Sequence, residues 1–139
     1  MRPILVCLAA VVLAVPAFAA TNLAKYAGSY PSDEVGGMTF LGDPAVIAGV
    51  TKAVPDKAVR DWVLDPNSVQ TPISRAGGLL RSGACEPHNC YDHNWAILID
   101  ASSGATDVCY HDAALMAEDQ SRWYLNSGKS AMRAGGCSE

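Results

Sequence analysis

Two segments in the first half of the chain place hydrophobic residues three and four positions apart, the spacing of an amphipathic helix. In the first segment, Asp43 can cap a helix N-terminus and Pro44 suits the first helical position, which predicts a helix over residues 44–53. In the second, Pro55 restarts the pattern and predicts a short helix over residues 55–64. The apolar positions of these two helices are Val46, Ile47, Val50, Val59, Trp62 and Val63.

From residue 68 the pattern changes to short β-branched and apolar runs separated by Gly, Ser or Asn, which is typical of an antiparallel sheet. We predict about five strands, at residues 68–73, 78–84, 94–100, 106–110 and 122–125. Residues 101–104 form a tight hairpin turn, so the third and fourth strands should be neighbours. Under period-two alternation the residues expected in the core are Trp95, Ile97, Ile99, Trp123 and Leu125. These elements predict an α+β fold.

The segments around these elements have no sustained period. We expect a short helix near residues 23–27, a helical turn at 113–117 and a short helix at 130–134. No internal repeat, low-complexity tract or interdomain linker interrupts the sequence, which predicts a single domain.

The N-terminus has the three-part pattern of a secretory signal peptide. Arg2 precedes an apolar run over residues 4–15, and residues 17–19 (Ala-Phe-Ala) match an A-x-A cleavage site. We therefore predict that residues 1–19 are a signal peptide, which leaves one exported domain over residues 20–139.

The charge balance of the chain is acidic. It contains 10 Lys and Arg residues against 14 Asp and Glu, for a formal net charge of -4. Because the predicted signal peptide removes one Arg and no acid, the exported domain has nine basic against 14 acidic residues and a net charge of -5. This sign excludes a nucleic-acid binder in practice and favours encounter with a basic protein partner.

Four cysteines remain after Cys7 leaves with the signal peptide, and in an exported chain they predict two disulfides with three arithmetical pairings. We expect Cys85 to pair with Cys90, and Cys109 with Cys137. The chain-entropy model gives about 2 kcal/mol for the short loop and about 3.5 kcal/mol for the long one. The long disulfide should therefore stabilise the fold, whereas the short one should mainly preorganise a loop for binding.

The short loop has the sequence Cys85-Glu86-Pro87-His88-Asn89-Cys90, with an acceptor, a stiff turn former, an imidazole and a short amide between the cysteines. Such a loop is suited to recognition by another molecule. The alternative is an ordinary cystine-closed turn in an exported structural protein, with its histidine facing solvent.

Two chemical readings of the same region are less favoured. A metal site could use Cys85, His88, Cys90 and His93, but these residues are too close in sequence for a typical zinc site, and export favours disulfides. A small exported enzyme would need a free thiol in an oxidising compartment. The residues considered for that enzyme are Cys85 or Cys90 as nucleophile, His88, His93 or His111 as base, and Asp92 or Asp112 as the orienting acid.

The loop and several other segments resemble the Ivy family, bacterial periplasmic inhibitors of vertebrate-type lysozyme. The family loop has a cysteine, a basic residue, Pro-His, an acid and a closing cysteine, and residues 85–90 resemble it. The other segments that carry the resemblance are Phe40-Leu41-Gly42-Asp43, the helix with Trp62, the hairpin after Ile99 and the strand Trp123-Tyr124-Leu125-Asn126.

This resemblance implies an antiparallel sheet with short helices on one side and a protruding disulfide-closed loop that enters the lysozyme cleft. The lysozyme-binding residues are then Glu86, Pro87, His88 and Asn89, and His88 matches the key histidine of the family. An imidazole placed between the two catalytic carboxyl groups of lysozyme can hydrogen-bond both while the loop blocks a sugar subsite. The resemblance implies occlusion in the periplasm, without catalysis, cofactor or metal.

Two loop positions depart from the family pattern. Glu86 replaces the basic residue and Asn89 replaces the acid, which predicts a negative tip. A negative tip should approach two carboxyl groups at an electrostatic cost. The alternative target is therefore an endogenous lytic transglycosylase or another muramidase.

Overall fold

The computed structural model of the chain describes residues 21–138, so the predicted signal peptide lies outside the described residues. The helices are a 3₁₀ helix at Leu23–Tyr26, α1 at Pro44–Ala53 and α2 at Lys57–Val63. The strands are β1 at Glu34–Val35, β2 at Met38–Thr39, β3 at Val69–Gln70, β4 at Ser74–Ala76, β5 at Leu79–Cys85, β6 at His93–Asp100, β7 at Thr106–Asp112, β8 at Gln120–Tyr124 and β9 at Ser130–Ala134.

Both helices begin at an aspartate cap. Helix α1 has the predicted bounds, and Asp43 accepts a hydrogen bond from the Ala45 N–H at 2.9 Å. Helix α2 begins later than predicted because Asp56, rather than Pro55, is the capping residue, and its carboxylate accepts a bond from the Ala58 N–H at 2.8 Å. In the part of the chain that the structure describes, no helix is long and apolar enough to cross a membrane.

Within residues 21–138 the strands form a two-stranded hairpin, β1–β2, and a seven-stranded antiparallel sheet. The order along the sheet is β3-β5-β6-β7-β8-β9, and β4 pairs with the first half of β5. The predicted α+β class is confirmed, with more strands than expected. The hairpin between β6 and β7 is also confirmed. At the end of β6 the Asp100 carboxylate accepts hydrogen bonds from Ser103 and Ser102, which lower its pKa to about 2.

One strand prediction and one helix prediction are wrong. Residues 68–73 do not form one strand, because Pro72 has no N–H and the N–H of Ile73 donates to the Ser29 carbonyl at 2.9 Å instead of to β5. Residues 130–134 form β9 rather than a helix. This segment is too short to nucleate a helix alone, and a turn with Gly128 at φ 82° places it beside the edge of β8.

Helices α1 and α2 pack on one face of the sheet, against β6 and β7. The main core lies between the helices and this face of the sheet. The residues that form this interface include Val46, Val50, Val59, Val63, Trp95, Ile97, Ile99 and Val108. On β8 the core position belongs to Tyr124. The core predictions for Trp123 and Leu125 are wrong. The Trp123 side chain packs on the other face against the Cys109–Cys137 disulfide, and Leu125 is only partly buried beyond the end of β8.

The antiparallel order brings two connections to the same end of the sheet. These are the β5–β6 connection at residues 86–92 and the β7–β8 connection at residues 113–119. The β6–β7 hairpin turn at residues 101–105 lies at the opposite end.

Candidate functional site

The β5–β6 connection begins with a small disulfide loop. Cys85 is bonded to Cys90, and Cys109 to Cys137, so both predicted pairings are confirmed. We call residues 85–90 the cystine ring. Because Cys85 is the last residue of β5 and pairs with β3 on one side and β6 on the other, the ring rises from the interior of the sheet.

Pro87 and His88 form the tip of the cystine ring, and both are exposed. The N–H of Asn89 donates to the Glu86 carbonyl at 3.0 Å and closes a β-turn around them. His88 has φ 64°, and proline followed by a residue with positive φ is the pattern of a type II turn. Few non-glycine residues adopt this backbone conformation, so the turn and the disulfide together fix the position from which the imidazole projects.

The Glu86 carboxylate is turned back toward the sheet. Its Oε2 atom accepts a hydrogen bond from Asn89 Nδ2 at 2.7 Å and one from His93 Nδ1 at 3.1 Å. These bonds, first that from Asn89 and then that from His93, lower the pKa of Glu86 below its usual value. The ring therefore carries the expected negative charge, but on a carboxylate that is hydrogen-bonded at the base rather than presented at the tip.

His93 connects the cystine ring to the protein core. Its side chain is buried, with Nδ1 3.1 Å from Glu86 Oε2 and Nε2 2.7 Å from the Tyr110 hydroxyl oxygen. The neutral tautomer with its proton on Nδ1 satisfies both hydrogen bonds. Burial raises the pKa of Tyr110, so this hydroxyl keeps its proton. The rings of Trp62, Trp95 and Tyr110 lie around the imidazole at centroid distances of 4.7, 5.2 and 5.4 Å. The imidazole is therefore fixed by both nitrogens and by aromatic packing.

Asn94 supports the ring from the opposite face of β6. It is buried, and its Nδ2 donates to the carbonyls of Cys90 at 2.9 Å and Tyr91 at 3.3 Å. Its Oδ1 accepts a bond from the N–H of Cys137 at 3.1 Å. One side chain thus joins the cystine ring to the second disulfide.

The remaining candidate residues do not converge on one centre. His88 is exposed at the tip, His93 is buried among aromatic rings, and His111 is buried with its Nδ1 bonded to a β8 carbonyl at 2.6 Å. Asp112 caps the turn that follows β7. Across residues 21–138, no cluster of His, Cys, Asp and Glu is arranged to hold a metal ion.

Sequence reasoning assigns no supporting role to His93, Asn94 or Tyr110. For His93 a signal exists, because period-two alternation puts it on the same face of β6 as Trp95. The role of Tyr110 follows only from the register of β6 against β7, which pairs Trp95 with Tyr110. A register of this kind is not readable from the two strand sequences alone.

Replacing Glu86 with Ala should loosen the cystine ring, because Asn89 and His93 both lose their acceptor. We expect the protection factor of the Asn89 N–H, measured by hydrogen exchange, to fall several-fold in the Ala variant and to be largely restored in Glu86→Gln. In the wild type, protection should be constant at neutral pH and decrease only as the pH falls through the lowered pKa of Glu86. Equal protection in all three proteins would contradict this role.

The fold and the ring together define a class of protein: a small α+β domain with an exposed disulfide-closed loop at one end of its sheet. The chain belongs to the family described as inhibitor of vertebrate lysozyme (Ivy), whose model matches residues 46–123, more than half of the chain. The match runs from α1 to β8 and includes the whole cystine ring. Comparisons with curated proteins and with solved structures found no match.

Proposed function

We propose that the protein is an exported inhibitor that inserts its cystine ring into the active-site cleft of a vertebrate-type lysozyme and blocks peptidoglycan hydrolysis. His88 is the central contact, Pro87 packs beside it, and Glu86 and Asn89 enter the cleft with them. Membership of the Ivy family supports lysozyme as the partner. The observation that carries the mechanism is the exposed imidazole of His88 on a backbone fixed by a β-turn and a disulfide.

An imidazole is chemically suited to this cleft. Lysozyme keeps one catalytic carboxyl group protonated and the other ionised. A neutral imidazole has one N–H donor and one nitrogen acceptor. It can therefore donate to the ionised carboxylate and accept from the protonated one, while the ring occupies the space of a sugar.

The direction of the Glu86 carboxylate reduces the electrostatic cost expected for a negative ring. A carboxylate bonded to Asn89 and His93 faces the inhibitor's own sheet and not the carboxyl groups of the enzyme. Coulomb repulsion falls with distance, and solvent and salt screen it further. This geometry supports lysozyme as the first target to test and a lytic transglycosylase as the second.

The two disulfides support export, because such bonds persist in oxidising compartments. The predicted signal peptide would deliver the chain to the periplasm, where an inhibitor of peptidoglycan hydrolysis would act. In this proposal the protein has no catalytic role of its own.

A titration with purified protein tests the proposal. We expect a vertebrate-type lysozyme to lose peptidoglycan hydrolysis as the protein is added, and a soluble chito-oligosaccharide to compete with binding because both occupy the cleft. A panel of lytic transglycosylases, titrated in parallel, measures the alternative target. Absence of inhibition, or binding to lysozyme that the oligosaccharide does not displace, would contradict insertion into the cleft.

A further inference from the structure

Two exposed apolar side chains lie at the same end of the sheet as the cystine ring. Tyr91 lines a pocket with Asn94 and His111, and Leu115 lines a different pocket with Tyr110 and Tyr124. Tyr91, which directly follows the ring, is 71% exposed, and Leu115 is 73% exposed. Leu115 belongs to the β7–β8 connection at residues 113–119, which we call the second loop. Three of its alanines, Ala113, Ala114 and Ala117, are exposed as well. Among residues 21–138, Tyr91 and Leu115 are the most exposed of the large hydrophobic side chains.

The second loop is well anchored. The carbonyl of Asp112 accepts hydrogen bonds from the N–H groups of Leu115 at 2.9 Å and Met116 at 3.0 Å, so the predicted helical turn is present as a hydrogen-bonded turn. Met116 packs against the main core. The N–H of Ala113 donates to the carbonyl of Asp92 at 2.8 Å, which ties the second loop to the segment after the ring. The exposure of Leu115 is therefore a feature of an ordered turn rather than of a frayed end.

Acidic residues outnumber basic ones at this end of the sheet. No Lys or Arg occurs in the sequence between Arg81 and Arg122. The acids of the two connections and the adjoining strand end are Glu86, Asp92, Asp112, Glu118 and Asp119. One cation lies beside Leu115: Arg122, which lines the same pocket as Leu115 and interacts with Tyr124. The excess of acids over cations at this end makes it complementary to a basic protein surface.

The size of the cystine ring is a separate reason to expect a second contact. A stable protein–protein interface buries about 800 Å² on each partner and involves roughly 20–30 residues a side. The exposed tip consists of Pro87 and His88 alone. A ring that fills a cleft therefore needs neighbouring surface on the same end of the sheet to complete a stable complex.

We propose that the second loop forms a second contact surface for the same enzyme that receives the cystine ring, with Leu115 as its apolar anchor. This inference rests on the proposed function and adds the requirement that the enzyme be basic around the rim of its cleft. The ring determines where the enzyme is blocked, and the second loop lengthens the lifetime of the complex. The acids of this end accelerate encounter, so the association rate decreases as salt is added.

The test compares four proteins on one lysozyme by surface plasmon resonance: wild type, Leu115→Ser, His88→Ala and the matched control Leu79→Ser. Leu79 is also an exposed leucine, but it pairs with Asp100 at the opposite end of the sheet. We expect Leu115→Ser to weaken binding about tenfold, mainly through faster dissociation, and Leu79→Ser to change it less than twofold. Neutralising Glu118 and Asp119 by Glu118→Gln and Asp119→Asn should reduce the association rate and its dependence on salt.

The outcomes separate this inference from the proposed function. If His88→Ala weakens binding and Leu115→Ser behaves like Leu79→Ser, the second contact surface is overturned and ring insertion is retained. If Leu115→Ser weakens binding and His88→Ala does not, the second surface is retained and ring insertion is overturned. If Leu115→Ser changes the oligomeric mass in sedimentation but not the affinity for lysozyme, the surface binds a second copy of this chain and the inference is overturned.

Discussion

Replacing His88 with Ala should weaken inhibition of lysozyme by roughly 30-fold, the loss expected for a central interface residue worth about 2 kcal/mol. The physical reason is that the imidazole would supply both a donor and an acceptor to carboxyl groups that water can no longer reach. An inhibition constant measured from peptidoglycan hydrolysis gives the result directly. An unchanged constant would contradict the proposed contact.

The backbone at position 88 requires a matched control. Alanine at φ 64° is strained, so His88→Ala changes the turn as well as the side chain. Asparagine tolerates this conformation and has a short polar side chain without an imidazole. If His88→Asn weakens inhibition as much as His88→Ala, the imidazole is responsible. If His88→Asn inhibits like the wild type, the loss in the Ala variant comes from the backbone of the turn.

The two disulfides should differ in what their removal costs. Replacing Cys109 and Cys137 with Ser opens a loop whose ends are 28 residues apart and should lower the free energy of unfolding by about 3.5 kcal/mol. Replacing Cys85 and Cys90 opens a loop with a separation of 5 and should lower it by about 2 kcal/mol. Urea unfolding of both double variants measures these values.

Inhibition should follow the opposite order. At a temperature where both variants remain folded, the variant without the Cys85–Cys90 bond should inhibit lysozyme less well, because its tip must be ordered on binding. The variant without the Cys109–Cys137 bond is the matched control, because it also lacks one disulfide but retains the cystine ring. Equal inhibition by the two folded variants would contradict preorganisation as the role of the ring.

Local signals in the sequence were sufficient for much of the fold. Asp43 and Pro44 predict the N-terminus of α1 because capping is decided by a few adjacent residues, and Pro55 follows closely after its C-terminus. Period-two alternation along β6 is also a local signal, and it correctly predicts that Trp95, Ile97 and Ile99 lie in the core. Residues 130–134 show what local signals cannot predict: this short segment without a regular pattern becomes a strand because a tight turn places it beside the edge of β8.

Part of the candidate site was likewise predictable from local sequence, and part was not. The cystine ring and the exposed tip with His88 follow from a short contiguous motif. The support beneath them depends on strand register and on side-chain direction, which bring Tyr110 to His93 and turn Glu86 away from the tip. The charge of Glu86 was therefore predictable from its identity, whereas the direction in which it faces required the structure.

The left-handed backbone of His88 also limits how this loop can diversify or be redesigned. At φ 64° the residues that fit without strain are Gly and, among those with side chains, chiefly Asn and Asp. A library at position 88 would thus contain few productive members, and an aspartate there would suit a cation-lined cleft rather than an acidic one. New target specificity is more accessible at the neighbouring positions, above all in the second loop, where exposed side chains stand on ordinary backbone.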